Sequence, residues 1–340
     1  MNYYSPEDFY SVDKYDMHVH YNTHQHQLLE QAKKDNFRLF SINTNVVPDF
    51  EPVAKQQEYA AHALQSYPER FDYSTAFTLD NWHSEDWQQQ TLDYLKESFN
   101  KGAVGVKVWK NIGMELRDKD GSFVMIDDPR FDPILDFIEK NDITLLGHLG
   151  EPRNCWLPLE EMAIKNDYDY FSKHPQYHMY LHPEYPSYQE QIDARDRMLD
   201  KHPNIRFVGL HLASLEWSVD EVAKRLDKYP NMSVDTAERI SHLQYQATTD
   251  HQKVYDFFIK YQDRIIYGTD IILDDTQSQD EAVKKAHALW TYHWKFFTGD
   301  EMMEAPELKE PFRALHLPRE VVDKLYYKNY RKWYPNTKTK

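Results

Sequence analysis

The residues best suited to chemistry open the chain, as Asp16-Met17-His18-Val19-His20. In an extended strand alternate side chains share a face, so Asp16, His18 and His20 would project together while Met17 and Val19 turn into apolar packing. Two imidazoles held two residues apart on a stiff strand chelate one divalent cation. The pair alone is a weak signal, because a chain with 17 histidines among 340 residues contains about one such pair by chance. The chain also carries its own control. His24-Gln25-His26 has the same spacing but lies in a polar run without a strand pattern, and it reads with His174, His178 and His182 as solvated or loop histidine.

Position separates the two pairs. His148, His211, Asp270 and Lys107 each follow an apolar run, one chemically active side chain per run. Any one of them alone is an ordinary turn or hydrogen-bonding residue. Four imidazoles, a carboxylate and a lysine make a metal site if the ends of those runs converge. Imidazole and carboxylate suit Zn²⁺, with Mn²⁺ as the alternative. A cation there lowers the pKa of the water it binds and polarises a substrate oxygen, and Asp270 would serve as both ligand and proton shuttle.

The elements that must position these groups alternate. After the opening strand, strands are predicted at residues 37–43, 73–79, 104–109, 143–148, 205–211, 232–235 and 265–270. Helices are predicted at 25–35, 51–67, 87–100, 133–140, 189–201, 219–229, 251–261 and from 279 onward. Eight strands alternating with eight helical stretches give an α/β fold of the TIM (β/α)8 type, a single domain over residues 1–340 whose strand ends meet at one mouth. A doubly wound sheet would alternate too, but no Gly-rich phosphate loop follows the first strand. Residues 151–188, rich in Tyr, His and Pro without a period, read as a loop-rich insertion after the fifth strand. Such a segment would cover the mouth, completed by another subunit in a homo-oligomer.

Lys and Arg total 40 against 56 Asp and Glu, a formal charge of −16 that argues against nucleic acid or an anionic membrane as partner. The single cysteine, Cys155, excludes an internal disulfide and a Cys-based zinc site. No apolar run reaches membrane-spanning length, and the first twenty residues lack the apolar core of a signal peptide. That fits a cytoplasmic protein; a mature periplasmic or secreted form would read the same. Aromatic residues make up 15% of the chain, enough for an aromatic pocket wall in which Trp109 and Trp156 are candidates, with plain packing as the alternative.

The segments Asp-Met-His-Val-His (16–20), Gly-Val-Lys (105–107), Gly-His-Leu-Gly-Glu-Pro (147–152), Gly-Leu-His-Leu (209–212) and Tyr-Gly-Thr-Asp (267–270) stand in this order. Together they resemble the amidohydrolase superfamily, in particular the amidohydrolase-related branch that includes aminocarboxymuconate semialdehyde decarboxylase and several lactonases. The resemblance runs from Asp16 to about Tyr334. It implies metal ligation by His18, His20, His148 and Asp270, with His211 hydrogen-bonding the activated water or binding a second metal. The segment Val234 to Arg239 is similar to the stretch after the seventh strand in related members, which would aim Arg239 at the pocket. In binuclear members a lysine at the Lys107 position is carboxylated and bridges two metals; one metal with a free Lys107 ammonium is the reading preferred here.

Lys107, Arg153 and Arg239 around a metal would suit a small anionic or sugar-derived substrate, unless the arginines merely pair with Glu151 and Glu238. The implied activity is metal-dependent hydrolysis of a lactone C–O or amide C–N bond. The alternatives are metal-dependent decarboxylation, sugar isomerisation, or a non-catalytic metal- or carbohydrate-binding barrel. Against the last, no ligand position is missing.

Overall fold

Strand β1, Lys14–Asn22, is buried along its whole length, and the remaining strands are laid out from it in chain order. The computed structural model describes residues 2–46 and 49–337. Parallel to β1 and to one another run β2 (Phe37–Ile42), β3 (Phe71–Ala76), β4 (Gly105–Val108), β5 (Thr144–Gly147), β6 (Arg206–Gly209), β7 (Met232–Asp235) and β8 (Ile265–Ile266). A ninth strand, β9 (Ile271–Asp274), returns to pair with β1. Between β8 and β9 the ring is closed by Met17 N–H donating to the Tyr267 carbonyl at 3.0 Å and Asp270 N–H to the His18 carbonyl at 2.7 Å. The architecture is the TIM barrel, with helices between strands that are buried on both faces and therefore read as apolar runs.

The eighth strand differs from the continuous 265–270 segment read from the sequence. It is split, because the chain passes so close to β1 at Gly268 that a Cβ there would lie 2.7 Å from that of His18. Asp270 then takes a left-handed φ of 68°, which lifts its carboxylate off the strand.

The alternation expected for β1 is also corrected. Its register with β2 slips between Asp16 and Val19, and this irregularity re-aims the side chains. Tyr15 and Met17 join Phe40, Ile42, Leu146, Val208 and Ile266 in a core sealed by Tyr330, Trp333 and Tyr334. Val19 and Tyr21 belong to the larger core. Asp16 faces Trp290 and Thr269, whereas His18 and His20 face Asp270.

The helix predicted at 251–261 is the second half of a longer one, Ile240–Lys260, interrupted at Asp250 by extended backbone. The polar first half hid its period. The insertion is less loop-like than expected. It holds a helix, Lys165–Lys173, among short 3₁₀ turns, and its own small core of Cys155, Phe171 and Met179 closes over Met114. Only Asp167 and Phe171 of that helix are buried, too few to leave a period in the sequence. After the helix Gln279–Thr298 the chain is not continuously helical, because Met302–Met303 pairs antiparallel with Phe312–Arg313. Among the described residues no helix is long and apolar enough to cross a membrane.

Lys14 begins β1 with its ammonium fully buried, donating to the carbonyls of Phe9 and Val12 under the rings of Phe9 and Phe37. Burial pulls its pKa down to about 7, against the opposing pull of Asp35 and Asp13. An unfolded lysine keeps its proton to about 10.4, so between pH 7 and 10 the unfolded chain binds more protons and stability rises with pH. Wild-type stability, measured by denaturant unfolding, is therefore expected to gain on that of Lys14→Met across this window. Parallel pH curves would mean that the carbonyls and rings keep the ammonium charged.

Candidate metal centre

Three imidazoles at the barrel mouth are oriented by acceptors on their Nδ1 atoms. His18 Nδ1 lies 2.7 Å from Asp235 Oδ2, His20 Nδ1 2.6 Å from the Ile42 carbonyl, and His211 Nδ1 3.0 Å from the Ala237 carbonyl. An acceptor at Nδ1 assigns the ring proton there and leaves the Nε2 lone pair free to ligate. The Nε2 atoms of His18 and His20 each lie 3.1 Å from Asp270 Oδ1, and that of His211 lies 4.0 Å from Asp270 Oδ2.

The Nε2 atoms of His18, His148 and His211 and the Oδ1 of Asp270 are buried without a hydrogen-bond partner among the described residues. Buried lone pairs facing one another repel unless a cation or a proton lies between them. A separation of 3.1 Å is that of adjacent ligands around Zn²⁺ bonded at about 2.0–2.2 Å, so the donors present fit a divalent cation. A proton fills the same role electrostatically. Burial alone would lower the His18 pKa, but Asp270 and Asp235 outweigh it and raise it to about 9. Burial, reinforced by the Lys107 charge, takes His20 down to about 4 despite its contact with Asp270.

The donors form two compact sets that share Asp270. One is His18, His20 and Asp270, the other His211, Glu238 and Asp270, with ligand atoms in each within 4.8 Å of one another. His148, the other expected ligand, lies outside both sets with its ring tilted 58° to that of His211 and centroids 4.2 Å apart.

The backbone that delivers His211 is strained. His211, Leu212, Ala213 and Ser214 all have φ between 55° and 58°, a left-handed turn that contains no glycine. Such geometry costs about 1–2 kcal/mol per residue and persists only where surrounding contacts impose it. Here the Asp235 carboxylate accepts from His211 N–H at 2.6 Å, the Ser214 hydroxyl donates to the Gly150 carbonyl at 3.1 Å, and Arg195 donates to the Ala213 carbonyl. Asp235 thus fixes the His18 ring and the His211 backbone together.

The other expected site residues are placed unevenly. Lys107 is buried beside Asp270 and Asp235, and burial lowers its pKa to about 8 against their attraction. Arg239 is buried and donates to the Glu238 carbonyl and carboxylate at 3.2 and 3.1 Å, with Asp167, Glu216 and Glu151 adding to the field around it. The Arg153 guanidinium stacks on Trp217 at 4.2 Å, and Glu151 pairs with Lys110 instead. Trp109 lines a cavity of about 280 Å³ with Lys110, Glu115, Glu151, Tyr170 and Tyr177, so the insertion walls one side of it. Trp156 is turned into the insertion's own packing, its indole N–H on the Pro186 carbonyl at 3.3 Å. His178 is no solvated loop residue. It is buried with Nε2 2.7 Å from the Leu157 carbonyl.

Asp235 and Glu238 are the site residues that sequence reasoning missed. Asp235 ends β7 as Asp270 follows β8, so the strand-end criterion applied to β7 would have found it. Nothing in the sequence marks Glu238, which reaches the site only through a left-handed φ of 57°.

The chain matches the family described as amidohydrolase over residues 15–335. No curated protein matches it in sequence. Among solved structures, the uncharacterized TIM-barrel protein Bb4693 from Bordetella bronchiseptica superposes with a TM-score of 0.54 at 13% identity, covering 96% of this chain and 99% of its own. A 2,6-dihydroxybenzoate decarboxylase from Rhizobium gives 0.52 at 17% identity, with 95% and 98% coverage. A putative amidohydrolase from Staphylococcus aureus gives 0.50 at 12% identity, with 95% and 100% coverage. At these identities the likeness shows the barrel and its closure.

Protein purified without chelator is expected to retain one tightly held divalent ion per chain, read by elemental analysis after dialysis. A metal-free chain that also fails to take up added Zn²⁺ or Mn²⁺ would remove the centre as described. Gly268→Ala, which forces a methyl against His18, is expected to lower metal affinity about 10–100-fold in chelator competition while the folded circular-dichroism spectrum persists.

Proposed function

Because this chain belongs to the amidohydrolase family, we propose that it is a metal-dependent hydrolase that opens a lactone C–O bond or cleaves an amide C–N bond of a small polar substrate. The observation that carries the reading is the set of buried, unpartnered lone pairs of His18, His211 and Asp270, together with His20, at the barrel mouth. His18, His20 and Asp270 would hold the cation, Zn²⁺ by its donor chemistry, with His148 flanking it. Bound there, the cation supplies a lowered pKa to water and polarisation to a carbonyl.

The chain's own residues do the rest. Asp270 touches His18 and His20 through Oδ1, so Oδ2 remains to accept a proton from the attacking water. His211, its Nδ1–H committed to the Ala237 carbonyl, presents Nε2 to that same water as an acceptor. Water adds to the carbonyl carbon, the C–O or C–N bond breaks, and the proton on Asp270 passes to the departing oxygen or nitrogen.

The charge of the substrate rests on Lys107 rather than on the arginines. Arg239 is matched by Glu238, and Arg153 lies over Trp217, while among the described residues Lys107 has the longer-range attraction of Asp270 and Asp235. A screen of lactones, amides and carboxylated aromatics tests the reading. Ring-opened or deamidated product supports it; CO₂ release from a carboxylated aromatic would assign a lyase instead.

With metal retained, Lys107→Ala is expected to weaken carboxylated ligands by about 1.5–3 kcal/mol, roughly ten- to over a hundred-fold, and neutral ones little. Equal losses would mean that Lys107 organises the site without reading charge. Arg239→Ala is expected chiefly to cost fold stability, by about 1.5–3 kcal/mol in denaturant unfolding, because it abandons the buried acids around it.

A further inference from the structure

A cavity of about 460 Å³ lies between the helices Ile240–Lys260 and Gln279–Thr298, and the hydrolytic scheme leaves it unused. Its volume falls in the range of about 300–1,000 Å³ typical of small-molecule sites. Glu238 joins it to the metal centre. That residue lines the cavity, and a carboxylate oxygen of it lies within 4.8 Å of ligand atoms of His211 and Asp270. Thr269, the residue before Asp270, is also part of the wall.

The inner wall is apolar in effect. Ile240, Leu289 and the Tyr292 ring contribute hydrocarbon surface. The Thr269 hydroxyl is committed to Asp16 at 2.6 Å, the Tyr292 hydroxyl donates to the Glu304 carbonyl at 2.9 Å, and His293 Nδ1 lies 3.0 Å from the Tyr267 hydroxyl. Burial lowers the His293 pKa to about 3, so its ring is uncharged. Ile240, Thr269 and His293 are buried and form the floor, whereas Lys285 and Asn166 are exposed and stand at the outer end. Such a floor offers a polar ligand few free partners, while hydrocarbon gains by leaving water for it.

We propose that this cavity receives an apolar arm of the substrate, a short aliphatic chain carried by the scissile lactone or amide. The inference rests on the hydrolytic reading and narrows its polar substrate to one whose reacting carbonyl bears such a chain. With the carbonyl at the centre, the arm passes Glu238 and runs along Ile240 and Leu289 toward Lys285. Ala288 and Ser241, facing the cavity from opposite helices, limit its length.

Two ligand series test this on the full chain as purified. The 3-alkylcyclopentanones have no bond to hydrolyse and report binding by calorimetry; the matching γ-alkyl lactones and lactams report turnover. Affinity in the first series and kcat/KM in the second are expected to rise about fourfold per methylene from the methyl to the butyl member. Ala288→Trp fills the outer half of the cavity and is expected to flatten both increments, leaving the methyl members within about twofold and the metal content unchanged. Ser241→Trp, from the opposite wall, is expected to do the same should the first variant disturb its helix. Ketone affinities independent of chain length, or increments that survive both substitutions, would overturn the pocket. Ketone increments without turnover of any lactone or lactam would uphold the pocket and overturn the hydrolytic reading instead, so the two failures are distinguishable.

Discussion

The carboxylate of Asp16 is where the barrel is closed. It is buried, and it accepts from Thr269 N–H at 3.0 Å, the Thr269 hydroxyl at 2.6 Å, the Trp290 indole at 2.8 Å and His18 N–H at 3.3 Å. A carboxylate removed from water is tolerated only when such donors replace its hydration. Burial still raises its pKa to about 6 in spite of the hydrogen bonds. By tying β1 to the segment between β8 and β9, Asp16 holds Gly268 against His18 and delivers Asp270 to the imidazoles. The imidazole and carboxylate cluster at the mouth depends on that closure, although Asp16 is not part of it.

Asp235 performs the matching task from the other side. One of its oxygens takes the His18 ring proton and the other the His211 backbone N–H, so a single buried carboxylate spans β1, β6 and β7. It also helps hold the left-handed turn at His211–Ser214, where the backbone forgoes an easier conformation to aim one imidazole. Asp270 and Glu238 show the same trade, each a residue with a side chain at positive φ. Strain gathered at one mouth and compensated by buried hydrogen bonds is the pattern of a site whose geometry matters more than its local stability.

The chain's acidity reaches into the mouth instead of stopping at its rim. Glu151, Glu216, Glu238 and Asp167 surround Arg239, and Glu151 also holds Lys110. The insertion takes part in this network through Asp167, which accepts from Asn154 at 2.7 Å and meets His242 at 3.3 Å. Charges of both signs interleave at the mouth, and among its described cations Lys107 is held by the longer-range attraction of Asp270 and Asp235. That disposition arises from partner choice across elements far apart in the chain.

What the sequence by itself determined is the barrel and the side chains gathered at its mouth. Strands buried on both faces must be apolar runs, so the runs were visible, and in a closed parallel barrel every residue at a strand's C-terminal end meets at one mouth. His18, His20, His148, His211 and Asp270 could therefore be assembled from position alone. The fine geometry was decided only by tertiary structure. The slip in β1 that turns Asp16 away from His18, the split eighth strand and the left-handed turn at His211 are set by contacts from distant elements, and no local propensity encodes them. The arginines show the same limit, because a guanidinium's partner is chosen by which acids the fold places around it. Glu238 is the clearest case: its sequence neighbourhood carries no signal, and a left-handed backbone dihedral brings its carboxylate near His211 and Asp270.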